Sequence, residues 1–216
     1  MKIEKPLLPA SLWETTDLES AIQYARQEED DVRGLLLSGG ELKGARLHPP
    51  LEIRGCVFEN WRFSDCAMPG ISFTDVVFRG CDLSNLDLSG CSLLRCAFEG
   101  CKGVGLLLPQ AKLRHVTMID CQLRLINLSG CVNKAAAFTR CDLSEGVLNG
   151  CGWHRTPLRE CRMVGCHVTG TSFDGVDLTT CEVEGWALGG GELKGALVTR
   201  DQAAAFALLL GLVIKG

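Results

Sequence analysis

Cysteine is the residue type with the most potential chemistry in this 216-residue sequence, which contains 13 cysteines and four histidines. Thiols can bind metals, form disulfides or carry redox reactions. Two groups imitate the spacing of metal ligands: Cys161 with Cys166, and Cys91 with Cys96 and Cys101. Zinc usually requires closer pairs, such as two cysteines separated by two residues. The histidines belong to no recognised catalytic motif. We therefore predict no catalytic residues, no metal site and no cofactor.

The cysteines follow a fixed frame, because every one of them lies at a position whose number ends in 1 or 6. We call these positions first slots, and the positions two residues later central slots. From residue 51 to residue 200 the frame holds 30 pentapeptides, and 28 of their central slots are apolar. The exceptions are Gly103 and Asn133, and we expect the Asn133 amide to bond to the backbone. The cysteines are best interpreted as small packing residues.

A chain that buries two residues of every five must turn after each short extended piece. Residues five apart lie about 140° apart around a helix and on opposite faces of a strand. Fourteen of the 30 fifth positions hold glycine, which relieves the strain of turns. Cysteines recur every 20 residues from Cys81 to Cys181, so one coil contains four pentapeptides and the frame makes 150/20 = 7.5 coils. The sequence predicts an all-β solenoid with inward-pointing cysteines.

These repeats resemble the pentapeptide repeat family, whose pattern is Ala or Cys, Asp or Asn, Leu or Phe, and two variable residues. The pentapeptides that begin at Cys81 and Cys141 follow that pattern. The resemblance covers about residues 35–200, with a one-residue insertion at Pro50. It implies a right-handed, quadrilateral β-helix whose first and central slots point inward.

Short cap helices are predicted at both ends of the solenoid, because its open edges must be covered. Residues 1–34 form the N-terminal cap, with a capping box at Thr16 and Glu19 and a helix over about 17–28. The sequence begins without the apolar stretch of a signal peptide. Its longest apolar segment, 203–214, is too short to span a bilayer. We expect a cytoplasmic protein with no membrane contact.

Residues 201–216 are expected to form a second helix, with Asp201 as its N-cap and Gly211 as a stop signal. This tail is similar to the C-terminal segment of quinolone-resistance pentapeptide repeat proteins, in which a short helix joins two rods. The matching residues are Gln202, Ala203, Leu210, Gly211, Val213 and Ile214. The predicted homodimer interface comprises Phe206, Leu208, Leu209, Leu210, Leu212, Val213 and Ile214. The alternative is a monomer whose tail folds over its own last coil.

The net charge of −4 excludes nucleic-acid binding through bulk positive charge. One predicted wall, built by the pentapeptides 91–95, 111–115, 131–135 and 151–155, nevertheless carries bases and no acid. This candidate partner-binding strip consists of Arg95, Lys112, Arg114, Lys134 and Arg155. Such a strip can attract an acidic partner, or its charges are simply solvated.

The predicted function is that of a non-enzymatic, rod-shaped protein-interaction module. Resemblance to the quinolone-resistance group implies DNA gyrase or topoisomerase IV as a possible partner, with the rod standing in for duplex DNA. Residues 51–200 contain 16 acids and 15 bases, a net charge of −1. Two alternatives stay open: a scaffold with an unknown partner and no topoisomerase role, and a thiol or metal protein.

Overall fold

The structure is a computed structural model that describes residues 2–153 and 156–215. The chain winds into a β-solenoid of about seven turns, with one short α-helix near each end. The solenoid fold predicted from the five-residue period is confirmed. Among the described residues, neither α-helix is long or apolar enough to cross a membrane.

Neighbouring coils pair in parallel, with residues 20 positions apart lying opposite each other. Ser92 faces Lys112 in this register, and single bridges on the other sides of the rod keep the same offset. The offset is 21 at the first coil, where Leu36 faces Val57, and Pro50 supplies the additional residue. Each coil therefore consists of four pentapeptides, which stack into four walls.

Each wall is named after one of its pentapeptides: wall A contains 71–75, wall B 76–80, wall C 81–85 and wall D 86–90. The other pentapeptides of a wall lie at multiples of 20 residues before and after that one. A 12-stranded sheet occupies walls A and B, and strands β4 and β7 form a separate pair on wall C. The strands are β1 Trp13–Thr15, β2 Val32–Arg33, β3 Leu35–Ser38, β4 Glu41–Lys43, β5 Glu52–Arg54, β6 Val57–Glu59, β7 Arg62–Ser64, β8 Ser72–Thr74, β9 Val77–Arg79, β10 Ser92–Glu99, β11 Lys112–Ile119, β12 Val132–Asn133, β13 Ala136–Thr139 and β14 Leu158–Arg159.

The short extended pieces that the five-residue period predicts are not uniform around the rod. Strands β10 and β11 are eight residues long, because their ladder resumes directly after the corner residues Arg95 and His115. Both corner residues have positive φ angles, 49° and 55°, so the chain turns without losing its register. Walls C and D are joined mainly by single bridges, since each pentapeptide there contributes one paired residue.

Apolar side chains from the first and central slots fill the interior of the rod. On wall B, the Phe78 ring lies between the rings of Phe58 and Phe98, with centroid distances of 5.1 and 4.7 Å and planes within 9° of parallel. Burial of these slots removes apolar surface from water at every coil, which is the main force that stabilises a solenoid.

Helix α1 (Leu18–Gln27) covers the first coil and buries Leu18, Ile22 and Ala25 in the common core. Its N-cap is Asp17, whose carboxylate accepts the Ser20 N–H at 2.9 Å. The predicted capping box at Thr16 and Glu19 is wrong by one position, because an aspartate next to threonine offers an equally good acceptor.

Helix α2 (Arg200–Leu209) begins after Thr199, not after Asp201 as predicted. The Thr199 hydroxyl accepts the Gln202 N–H at 3.2 Å, and the Gln202 side chain accepts the Thr199 N–H at 2.9 Å. This reciprocal pair satisfies two free donors at once. Asp201 then lies in the first turn, where its negative charge interacts favourably with the positive end of the helix dipole.

Candidate interaction surfaces

All 13 cysteines are buried and free. Most of their thiols donate weak hydrogen bonds to carbonyls of the coil below, such as Cys96 to the Phe73 oxygen at 3.5 Å and Cys166 to the Leu143 oxygen at 3.2 Å. Burial raises the pKa of both thiols to about 12. Among the residues that the structure describes, no three histidines, cysteines or acids are grouped so that they could hold a metal ion.

Thr171 occupies a first slot and forms the same kind of hydrogen bond to the coil below as the cysteines in such slots. Its hydroxyl donates to the Leu148 carbonyl oxygen and accepts the Cys151 N–H at 2.8 Å. The side chain is fully buried. A small side chain that donates one hydrogen bond to the coil below therefore fits the slot, as Val76 and Ala111 do without such a bond, and packing explains the cysteines without invoking reactivity.

The C-terminal surface consists of six large apolar side chains within seven residues, all between 45% and 87% exposed. They are Leu208, Leu209, Leu210, Leu212, Val213 and Ile214. Phe206 does not belong to it: its side chain is 4% exposed and packs on Trp186, with ring centroids 5.5 Å apart. The predicted interface therefore loses Phe206, which closes the end of this chain's own core.

Gln202 fixes helix α2 over the last coil. Its side-chain amide donates to the carbonyl oxygens of Leu178 and Cys181, both at 2.8 Å. Together with the buried Phe206 ring, these bonds determine which side of the helix faces the rod. Leu208, Leu212 and Val213 are left with most of their side-chain surface exposed.

The predicted basic strip divides into open and paired members. Arg95 forms a two-bond ion pair with Asp75, at 2.6 and 2.7 Å, and its side chain is only 19% exposed. The pair and a hydrogen bond from Leu7 outweigh the burial of Asp75 and lower the pKa of its carboxyl. Arg95 is therefore a structural ion-pair partner and not an open cation, and Arg155 lies outside the described residues.

Lys112, Arg114 and Lys134 are exposed and surround a groove of about 400 Å³ on wall A. We call it the basic groove. Its other outward-facing lining residues are Ser92, Leu94 and Val132. The register places Lys112 between Ser92 and Val132 in one column, and Arg114 between Leu94 and Lys134 in the next.

Elsewhere on the rod, arginines commonly pair with an acid one coil away. The ion pairs between Arg140 and Asp120 (2.6 Å) and between Arg162 and Glu182 (2.6 Å) show this 20-residue spacing. The Arg140 hydrogen bond lowers the pKa of the Asp120 carboxyl. Within residues 2–153 and 156–215, no ion pair involves the three cations of the basic groove. Their charge is left for an external group.

Residues 2–12, which we call the arm, lie along the corner between walls A and B, a feature that the repeat pattern does not predict. The Leu7 N–H donates to the Asp75 carboxylate at 2.9 Å, and the Glu4 N–H donates to His115 Nδ1 at 3.2 Å. Leu12 packs on a small apolar cluster of wall B. The signal in the sequence was the outward column Val57, Val77 and Ala97, whose spacing of 20 marks an apolar surface that something must cover.

Residues 71–148 match a family model described as a pentapeptide repeat region. A trypsin-treated variant of QnrB1, a plasmid-mediated fluoroquinolone resistance protein, has a similar structure, with 18% identity, a TM-score of 0.43, and coverage of 82% of this chain and 100% of that one. HetL, a pentapeptide repeat protein involved in heterocyst differentiation regulation in the cyanobacterium Nostoc sp. strain PCC 7120, is 16% identical, with a TM-score of 0.37 over 76% of this chain and 89% of its own. No curated protein matches the sequence.

Proposed function

We propose that this chain, a pentapeptide repeat protein, is a rod-shaped protein-interaction module that works as a homodimer. Pentapeptide repeat proteins are not known as enzymes. The interior is filled by first-slot and central-slot side chains, so its outer walls and ends are what the protein presents to others. The observation that carries the proposal is the C-terminal surface, with six exposed apolar side chains on one end of the rod.

A second copy of the chain is the partner that fits the C-terminal surface best. Two-fold association brings the same surface from each chain together and hides both end coils, whose edges would otherwise recruit other strands. A fully buried leucine contributes roughly 1.5–3 kcal/mol. A few such residues from each chain offset the cost of association and support a dissociation constant near the micromolar range, about −8 kcal/mol.

Light scattering at about 50 μM, well above that range, tests the dimer. The parent protein should have twice the chain mass, and Leu208→Asp combined with Leu212→Asp should give a folded monomer. Leu125→Asp is the matched control, because Leu125 is also about half exposed (49%) but lies on wall C. A monomeric parent would contradict the proposal, as would loss of the dimer in the control. Lys134→Glu should leave the mass unchanged.

Partner binding is tested by affinity purification from the native host with the intact dimer as bait. We expect one protein to be enriched over an unrelated bait and to bind again when both components are purified. The absence of any protein that passes this second step would count against a module role. We place the interaction in the cytoplasm, where the 13 free thiols stay reduced.

A narrower form of the proposal takes DNA gyrase as the partner. Its support is the tail, where Gln202, Ala203, Leu210 and Gly211 are similar to residues of quinolone-resistance proteins. The rod's net charge of −1 over residues 51–200 does not reproduce the polyanionic surface of duplex DNA. A scaffold with another partner is therefore the alternative that the charge favours, and direct nucleic-acid binding is not part of either form.

Supercoiling by purified gyrase, with and without a quinolone, separates the two forms. If gyrase is the partner, the protein should protect supercoiling from the drug at micromolar concentration, and the Leu208→Asp and Leu212→Asp variant should protect less. Unchanged supercoiling at every concentration would remove gyrase and leave the scaffold role.

A further inference from the structure

We propose that the basic groove binds an extended, acidic segment of a protein partner. The inference rests on the proposed role as a protein-interaction module and assigns one wall and one chemistry to it. The site consists of Lys112, Arg114 and Lys134, with Leu94 and Val132 as apolar neighbours.

The geometry of the strand sets the spacing of the ligand. Lys112 and Arg114 are two residues apart on β11 and point to the same side, so their backbone positions lie about 6.8 Å apart. Lys134 lies one coil above Arg114, about 4.8 Å away. An extended peptide also repeats its side chains every second residue at about 6.8 Å. Two acids separated by one residue can therefore meet Lys112 and Arg114 together.

The arm, which runs along the rod axis and therefore across β11, shows that the corner next to the basic groove holds an extended segment. Glu4 bonds to His115 and Leu7 to Asp75, so three residues of the arm cross two coils. Two coil spacings are about 9.6 Å, or about 3.2 Å per residue, which is the rise of extended chain. The Glu4 carboxylate lies 3.7 Å from His115 Nε2, one residue after Arg114. The arm stops short of Lys112 and Lys134, whose side chains stay exposed.

The charges and the apolar residues together favour an acidic peptide over nucleic acid. Specific binding to a duplex draws on many phosphate contacts, and proteins that rely on it carry an extended basic surface. Here three cations stand on a chain of net charge −4. Val132 is 46% exposed in the groove, and such a residue complements an apolar side chain next to the acids.

Fluorescence anisotropy with a labelled ten-residue peptide of alternating glutamate and valine tests the proposal at 50 and 150 mM salt. A peptide with glutamine in place of glutamate is its uncharged match. The site variant combines Lys112→Glu, Arg114→Glu and Lys134→Glu. The control variant makes the same change in total charge on exposed cations outside the groove: Lys43→Glu, Arg62→Glu and Lys194→Glu.

The parent should bind the glutamate peptide at least tenfold more tightly than the glutamine peptide. The site variant should lose at least tenfold in affinity, and the control variant less than threefold. Equal losses in the two variants would show that only the overall charge matters and would overturn the site. Tighter binding of a 20-base-pair DNA duplex than of the peptide would assign the groove to nucleic acid and overturn the proposal as well.

The outcome is separable from that of the proposed function. If a purified partner binds the site variant as tightly as it binds the parent, the module role stands and the groove assignment is wrong. If no partner exists while the peptide still binds with the expected losses, the groove is a binding site and the module role is what fails. Circular dichroism of both variants should match the parent, since these side chains are exposed and unpaired within the described residues.

Discussion

The replacement Phe78→Ala tests whether stacked central slots hold the coils of the solenoid together. The Phe78 side chain is 1% exposed. Its ring stacks on Phe58 and Phe98, and its edge contacts Phe63 and Phe73 at centroid distances of 6.3 and 5.9 Å. Truncation of a buried phenylalanine costs about 3–5 kcal/mol. Because two parallel ring pairs are lost here, we expect a value in the upper half of that range, about 4–5 kcal/mol.

Phe78→Leu is the matched control, because it keeps an apolar side chain of similar length in the slot and should cost only about 1–2 kcal/mol. Urea unfolding followed by far-ultraviolet circular dichroism gives the two free energies of unfolding. Each coil of a solenoid contacts only its neighbours. Amide hydrogen exchange should therefore lose protection mainly in the coils that contain Phe58, Phe78 and Phe98.

Two results would refute this reasoning. One is a difference of less than about 1 kcal/mol between the alanine and leucine variants, which would mean that packing against the neighbouring rings contributes little. The other is a uniform loss of protection along the chain, which would mean that the coils do not unfold as a stack of neighbours.

Three further predictions concern the interior. Few thiols of the native protein should react with a thiol reagent at pH 8, because burial raises the pKa of Cys96 and Cys166 to about 12. All 13 thiols should react after denaturation, as a colorimetric thiol assay would report. The contribution of these thiols to the free energy of unfolding should be constant below about pH 8. Above pH 9 it should fall by about 1.4 kcal/mol per pH unit for each thiol whose pKa burial raises, since thiols of the unfolded chain lose their protons first. Equal urea midpoints at pH 7 and pH 10 would contradict this expectation. Leu143→Asp should unfold several coils, because an unpaired charge in a buried slot costs several kcal/mol. Leu125→Asp, on the exposed surface, should leave the coils folded. Equal melting temperatures for the two variants would count against burial of Leu143.

The solenoid could be predicted from the repeat frame, because the residue types of each pentapeptide indicate independently which two side chains point inward. Cys81 and Cys181 are five coils apart, yet both are buried in the positions that the frame assigns them. The four walls followed from the 20-residue recurrence, and the register confirms that number of pentapeptides per coil. Agreement across many repeats is what makes such a sequence specify one structure.

The ends lie outside the frame, and there local patterns were not sufficient. The side of α2 that faces the rod depends on the shape of the last coil, so the sequence could not show that Phe206 packs on Trp186 while Leu208 is exposed. The arm has no period of its own. Its position is set by Asp75 and His115, two outward residues far along the chain.

Asn133 is the polar residue that interrupts the apolar central slots, and it lies in a pentapeptide that lines the basic groove. Its side-chain oxygen accepts the N–H groups of Ala135 and Ala136 at 3.2 and 2.7 Å, and its amide donates to the Thr156 hydroxyl at 2.8 Å. These bonds confirm the expected contact with backbone and hold a turn in which Ala135 has a φ of 128°.

The same pentapeptide carries Val132 and Lys134, two outward residues of the groove. A leucine in place of Asn133 would suit the core better and would leave those backbone donors without their acceptor. The hydrogen bonds of Asn133, in an otherwise apolar slot, thus help to set the backbone conformation that presents Val132 and Lys134 on the surface. Departures from a uniform pattern concentrate where a scaffold is adapted to a function. The coincidence of this departure with three cations that form no ion pair among the described residues is therefore a reason to look for the partner on wall A first.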